Sequence, residues 1–212
     1  SAATATLTNT TGTVEFSDNL TLTSGLNTAA QGYNVTMQGA LNSIAGTTTF
    51  SNTGTVTLGD GAADSTTFVG GVTATAPSAV NIAGTVAATT GASTITLGDA
   101  DTNVNVTASA TVGGAATGLI DLGDAILADG ATLTVGTGIA NAINLDAVTG
   151  TAGGAVSNLT INTTGVVTVA EAVGTDIGTV TVTQSGGVDF GSTGSAATAT
   201  LTNTTGTVEF SD

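Results

Sequence analysis

The sequence predicts an all-β protein folded as a β-solenoid, with about nine coils of roughly 21 residues and three short strands in each coil. Three observations support this prediction. Apolar residues recur in pairs separated by one residue, glycines lie between successive pairs, and an 18-residue sequence recurs without change. Because side chains of a strand alternate between its two faces, each apolar pair marks a strand with one buried side.

A first series of apolar pairs sets the length of a coil. Its members are Val14/Phe16, Val35/Met37, Val56/Leu58, Ala74/Ala76, Ile95/Leu97, Ile120/Leu122, Ile143/Leu145, Val167/Val169, Val188/Phe190 and Val208/Phe210. The steps between pairs run from 18 to 25 residues, and nine of them span 194 residues. This regularity predicts nine comparable coils.

Two further series supply the other strands of each coil. The second runs eight to ten residues upstream of most first-series pairs, usually with a glycine between, and comprises Ala5/Leu7, Leu26/Thr28, Thr48/Phe50, Val86/Ala88, Ala110/Val112, Leu133/Val135, Leu159/Ile161, Val180/Val182 and Ala199/Leu201. The third, less regular, comprises Leu20/Leu22, Leu41/Ile44, Val104/Val106, Ile126/Leu127 and Val173/Ile177. Strand, glycine corner and strand in succession predict three strands per coil.

An exact duplication defines the larger organisation. The sequence SAATATLTNTTGTVEFSD occupies residues 1–18 and again residues 195–212, an offset of 194 residues. We therefore predict one continuous solenoid over residues 1–212, in which residues 1–194 form one unit of a tandem array and residues 195–212 begin the next. At about 4.8 Å per coil, nine coils give a unit roughly 43 Å long.

Stacked coils would share one continuous core, since a single coil buries little apolar surface by itself. The pattern predicts Val167, Val188 and Val208 in one interior column, with Phe190 beneath Phe210. A β-sandwich would also have short alternating strands, but it does not explain comparable steps that close on an identical sequence. A disordered stalk would not place Val, Ile, Leu and Phe at matched registers.

Composition excludes several function classes. The chain has fifteen acidic residues, no Lys, Arg, His or Cys, and a formal charge of −15. Nucleic-acid binding needs cations to neutralise phosphates, and histidine bases, lysine Schiff bases, thiol nucleophiles and Cys/His zinc sites are all missing. We therefore expect no enzymatic activity and no required cofactor. No run approaches the roughly 18 apolar residues of a membrane helix, so we also expect no membrane insertion.

The residues between paired apolar residues are expected to face solvent in two columns. The first-series column is Glu15, Thr36, Thr57, Thr75, Thr96, Asp121, Asn144, Thr168, Asp189 and Glu209, and the second is Thr6, Asn27, Thr49, Ala87, Thr111, Thr134, Thr160, Thr181 and Thr200. Threonine rows have a structural explanation, because β-branched residues favour strands. They also resemble the outer faces of ice-binding solenoids, although coil steps of uneven length argue against a matched lattice.

Acidic residues close together near turns suggest a calcium site. The candidates are Asp60, Asp64, Asp99, Asp101, Asp121 and Asp124, because Ca²⁺ prefers carboxylate and carbonyl oxygens. Solvated turns that oppose aggregation are the alternative explanation. Asp189 and Glu209 are predicted to be neighbours on adjacent coils, where they repel. Divalent cations are therefore expected to stabilise the protein more than sodium does.

Three segments carry a family resemblance. TATLTNTTGTVEF (4–16), TTTFSNTGTVTLGDG (47–61) and LTINTTGVVTV (159–169) resemble bacterial surface proteins built of β-strand repeats, such as filamentous-haemagglutinin-like adhesins and autotransporter passenger solenoids. The resemblance implies an extracellular, cell-surface location and a long fibre in adhesion, cell–cell contact or biofilm matrix.

Three functions remain open at this stage. The first is a structural segment of such a fibre, whose partners are neighbouring repeats of the same chain or identical chains stacked head to tail, with the cell surface or glycans as further partners. The second is a binding module for Ca²⁺, glycan or ice that uses the Thr and Asp faces. The third is a carbohydrate-active enzyme, which would need a carboxylate pair in one groove.

Overall fold

The protein is a β-solenoid of about nine coils, and the residues that the structure describes contain 24 strands paired in parallel. The computed structural model describes residues 1–8, 10–192 and 194–211, so Asp212 of the predicted second copy lies outside the described residues. The chain passes repeatedly along three walls, which we number so that wall 2 follows wall 1 and wall 3 follows wall 2 in every coil. Within the described ranges, no helix is long and apolar enough to cross a membrane.

Each wall is a parallel ladder of strands from successive coils. Wall 1 contains β2 (Thr13–Phe16), β4 (Asn34–Met37), β7 (Val56–Leu58), the first parts of β10 (Ala79–Ala88) and β12 (Asn103–Gly114), β14 (Ala125–Leu127), β17 (Val148–Gly150) and β20 (Val173–Gly174). Wall 2 contains the first parts of β1 (Ala2–Leu7) and β3 (Thr21–Thr28), β5 (Leu41–Ile44), β8 (Ser65–Phe68), the second parts of β10 and β12, β15 (Thr132–Val135), β18 (Ser157–Asn162), β21 (Ile177–Ser185) and β23 (Thr198–Thr204). Wall 3 contains the second parts of β1 and β3, β6 (Thr48–Thr49), β9 (Val72–Ala74), β11 (Ile95–Leu97), β13 (Ile120–Leu122), β16 (Ile143–Leu145), β19 (Val167–Val169), β22 (Val188–Phe190) and β24 (Val208–Phe210).

The core is a set of interior columns that run along the solenoid. On wall 3, Val167 pairs with Val188 and Val188 with Val208, which confirms the predicted column. The rings of Phe190 and Phe210 stack in the next column, with centroids 5.0 Å apart and planes 5° from parallel. Because each inward side chain packs on its equivalent in the adjacent coil, the core is continuous from coil to coil.

Polar side chains turn inward at some corners and hold the preceding coil. The Asn141 amide, which is buried, donates to the carbonyl oxygens of Ala116 and Gly118 at 2.8 and 2.7 Å. The buried hydroxyl of Thr102 donates to the Pro77 carbonyl at 2.7 Å. These bonds satisfy corner carbonyls that no strand ladder reaches.

The two main series of predicted strands were wrong in one respect, because each changes wall between residues 58 and 95. First-series pairs lie on wall 1 up to Val56/Leu58 and on wall 3 from Ile95/Leu97. Between them, the inward pair is Val72/Ala74, while Ala76 is exposed. The shortest predicted step, 18 residues, therefore crosses two walls instead of three.

The second series changes from wall 3 to wall 2 over the same part of the chain. The prediction passed over β8 because its inward residue Thr66, only 1 % exposed, is polar. It also read Leu41 as inward, whereas Asn42 and Ile44 face the core and Leu41 is 64 % exposed. Likewise, Ala125 rather than Ile126 accompanies Leu127 inside.

Candidate functional site

Wall 2 carries an unbroken outer column of hydroxyl side chains. Successive register pairs place Ser65, Thr85, Thr111, Thr134, Thr160, Thr181 and Thr200 next to one another. Thr85, not Ala87 as predicted, is the neighbour of Thr111. The column stays in register although the coil steps differ in length. We call this column the threonine row.

Wall 3 carries the longest outer column, and acids lie in its later coils. Register pairs connect Thr6, Asn27, Thr49, Thr73, Thr96, Asp121, Asn144, Thr168, Asp189 and Glu209. The predicted juxtaposition of Asp189 and Glu209 is confirmed. Thr73 takes the place predicted for Thr75. We call this column the acidic row.

The outer column of wall 1 is held together by amides. Asn105 donates from Nδ2 to Asn81 Oδ1 at 2.9 Å, and Asn81 donates from Nδ2 to Thr57 Oγ1 at 3.1 Å. Glu15 and Thr36 precede Thr57 in the same column. Hydrogen bonds that run from coil to coil on the outside indicate a structural role for this wall.

The calcium candidates Asp60 and Asp64 lie in one turn between walls 1 and 2. Asp64 Oδ2 accepts the backbone N–H groups of Asp60 and Gly61, both at 2.9 Å. These hydrogen bonds to the charged form lower the pKa of Asp64. A side-chain hydrogen bond to Asp64, with smaller contributions from burial and carboxylate repulsion, raises the pKa of Asp60. The Asp64 carboxylate is thus committed to closing its own turn.

The remaining candidates lie on wall 3 or at the corner where wall 3 leads into wall 1. Asp99 Oδ1 accepts the backbone N–H of Asp101 at 3.0 Å, and Asp124 Oδ1 accepts that of Ala147 at 3.1 Å. Asp121 faces outward in the acidic row. The fold therefore separates the Asp60/Asp64 turn from the later acids, which it brings near one another on successive coils.

Asp146 is the acid that the sequence analysis missed. Its pKa is raised first by burial and then by the negative charges of Asp124, Asp121 and Asp99. It directly follows Leu145 at the end of β16, and only the stacking of coils brings it near the other acids. Asp99, Asp121, Asp124 and Asp146 form what we call the acidic corner.

Calcium binding stays a prediction. In residues 1–8, 10–192 and 194–211, no three acidic side chains are grouped so that they could hold a metal ion. Divalent cations can also be attracted diffusely by the formal charge of −15, and this attraction does not need a cluster of three acidic side chains. Calorimetry with and without a chelator tests whether calcium stabilises the fold. An unchanged melting temperature would show that it does not.

The acidic corner predicts an unusual pH dependence of stability. The pKa of Asp146 is raised in the folded protein. At pH values between the ordinary pKa of 3.8 and this raised pKa, folding is therefore accompanied by uptake of a proton at Asp146. The melting temperature should therefore rise as the pH is lowered from neutrality through this window. It should fall again only below 3.8, where Asp64, whose pKa is lowered, takes up its proton.

Calorimetry over a pH series measures this effect, and Asp146→Asn provides the control. The variant should have a higher melting temperature than the parent at neutral pH and a shallower rise on acidification, since its uncharged amide repels none of its neighbours. A parent melting temperature that falls steadily from neutral pH downward would contradict the prediction.

Comparison with known proteins identifies no relative. Neither the protein-family models, nor the curated proteins, nor the solved structures compared with this chain gave a match.

Proposed function

We propose that this chain is a structural segment of a long extracellular fibre at the cell surface, acting in adhesion, cell–cell contact or a biofilm matrix. One observation carries the proposal: an unbroken ladder of nine register pairs runs on wall 3 from Thr6 to Glu209. Each coil is thus a template for the next, which suits a fibre that grows along one axis.

The duplicated sequence supports continuation of the solenoid. In both copies the same residues point inward: Ala5 and Leu7 correspond to Ala199 and Leu201, and Val14 and Phe16 to Val208 and Phe210. The second copy pairs in parallel with the coil before it, as any interior coil does. A tandem array would extend the same core without a new type of contact.

The coil formed by the second copy leaves apolar side chains exposed, and another coil could stack on them. Phe210 is 64 % exposed and Leu201 is 46 % exposed. Together with Phe190, Val173 and Val180, Phe210 lines an apolar cleft beside this coil. A following unit of the same chain, or an identical chain stacked head to tail, would bury these side chains.

Substitution of Phe210 tests the proposal. The parent chain should form threads at rising concentration, seen by electron microscopy and sedimentation velocity, because stacking buries Phe210. Phe210→Asp should abolish the threads, since it places a charge in the apolar contact. Phe210→Ala, which removes apolar area without adding charge, should weaken them. Circular dichroism verifies that the strands remain.

Leu41→Asp provides the matched control. Leu41 is as exposed as Phe210, at 64 %, but it lies on the outside of wall 2. Its variant should form threads like the parent. Discrete particles at every parent concentration, or threads formed equally by both Phe210 variants, would overturn the proposal and favour the binding-module alternative.

The threonine row favours a second function, binding to ice. Its seven hydroxyl side chains lie at the regular spacing of neighbouring strands, about 4.8 Å, on a wall whose row carries no acid. Regular methyl and hydroxyl groups suit an ordered water surface. An ice crystal held just below its melting point in the protein solution should stop growing, and unimpeded growth would contradict this function.

A further inference from the structure

The two copies of the duplicated sequence occupy different walls of the solenoid. In the first copy, the strand that contains Thr6 lies on wall 3 and the strand that contains Glu15 lies on wall 1. In the second copy, the equivalent residues Thr200 and Glu209 lie on walls 2 and 3. Identical residues are thus displaced by one wall, although they are inward or outward in the same way.

The displacement follows from the length of the unit in coils. The ladder from Thr6 to Glu209 makes nine complete coils on wall 3. Thr200, the repeat of Thr6, lies one wall before Glu209. The 194-residue offset therefore spans one wall less than nine coils, which is about 8⅔ coils or ~42 Å.

We infer that successive 194-residue units in an array are each turned by one wall, so that a surface row returns to the same wall only at every third unit. The array in this inference rests on the proposed function, while the displacement rests on the register of this chain alone. Three units correspond to 26 coils, an axial period of ~125 Å.

The rotation distributes each surface row to all three sides of the fibre. From one unit to the next, a row on wall 3 moves to wall 2, a row on wall 2 moves to wall 1, and a row on wall 1 moves to wall 3. On wall 2, the threonine row of one unit would therefore be followed by the acidic row of the next unit. Like charges opposite one another in adjacent strands repel, so interruption of the acidic row after each unit limits that repulsion. A fibre of this kind presents the same lateral contact surfaces to neighbouring fibres in three directions.

Paired cysteines test the displacement in the 212-residue chain itself, which contains no other cysteine. Neighbours in parallel strands lie within the Cα separation that a disulfide spans. Thr57→Cys with Asn81→Cys on wall 1 should cross-link under mild oxidation, as should Thr49→Cys with Thr73→Cys on wall 3. Thr57→Cys with Thr75→Cys should not cross-link, because the 18-residue step between them crosses two walls instead of three.

The outcomes separate this inference from the fibre proposal. If the two copies occupied the same walls, Thr57 would neighbour Thr75 instead of Asn81, so a Thr57/Thr75 cross-link in place of Thr57/Asn81 would overturn the displacement. The reaction is intramolecular in dilute solution and does not depend on thread formation. Failure of the Phe210 experiment with correct cross-links would overturn the fibre alone.

Discussion

Replacement of Leu122 with asparagine is expected to lower the free energy of unfolding by about 3–5 kcal/mol, measured by chemical denaturation. Leu122 is 1 % exposed and packs in the interior column of wall 3 between Leu97 and Leu145. Asparagine has a similar size but places an amide where no polar partner is available. The cost has two parts: the loss of buried apolar surface, and the burial of an amide group that has no hydrogen-bond partner in the core.

The neighbouring residue Asp121 provides the control for Leu122→Asn. It lies in the same strand but points outward in the acidic row. Asp121→Asn should leave stability unchanged or raise it slightly, because it removes one of the negative charges that act on Asp146. Equal losses in the two variants would contradict the assignment of inward and outward faces.

Gly84→Ala is expected to destabilise the protein by about 2–5 kcal/mol. Gly84 has φ of +69° and lies at the irregularity where β10 bends from wall 1 to wall 2. A Cβ atom there would collide with the backbone carbonyl oxygen of Asp64 and lie 2.8 Å from that of Gly61. Neither oxygen is free to move, because both belong to the backbone of the preceding coil.

Gly91→Ala separates the effect of this collision from that of backbone conformation. Gly91 also has a positive φ, +53°, but a Cβ atom there would meet nothing within 4 Å. Its substitution should cost only the left-handed strain, about 1–2 kcal/mol. Denaturation curves that give the same loss for both variants would show that close approach of coils at Gly84 is unimportant.

Alternation of apolar residues was enough to predict the coil and much of wall 3. From Ile95 to Phe210, every first-series pair lies in the interior columns of wall 3, because Val, Ile, Leu and Phe clearly mark the inward face. Residues 59–94 were harder to interpret. There the inward Thr66 resembles a surface residue, and Ala79–Ala88 is a single strand that runs through a corner without interruption.

The acidic candidates show a different limit of sequence analysis. Asp60 and Asp64 are close in the chain, so their shared turn was visible. The proximity of Asp146 to Asp124 depends on the register between coils, and an error of one wall changes every such neighbour. Long-range neighbours in a solenoid therefore follow from the count of walls, which unequal corners obscure.

The backbone hydrogen bonds of the strand ladders join each coil to the next, so they lie along the axis of the solenoid. Tension on the two chain ends acts most directly on the hydrogen bonds at the free edges of the terminal coils, so we expect these coils to peel away one at a time. One released coil of about 23 residues extends to roughly 75 Å, against ~4.8 Å when stacked. In the fibre that we propose, stretching would absorb mechanical work by releasing one coil at a time, so we expect toughness rather than stiffness.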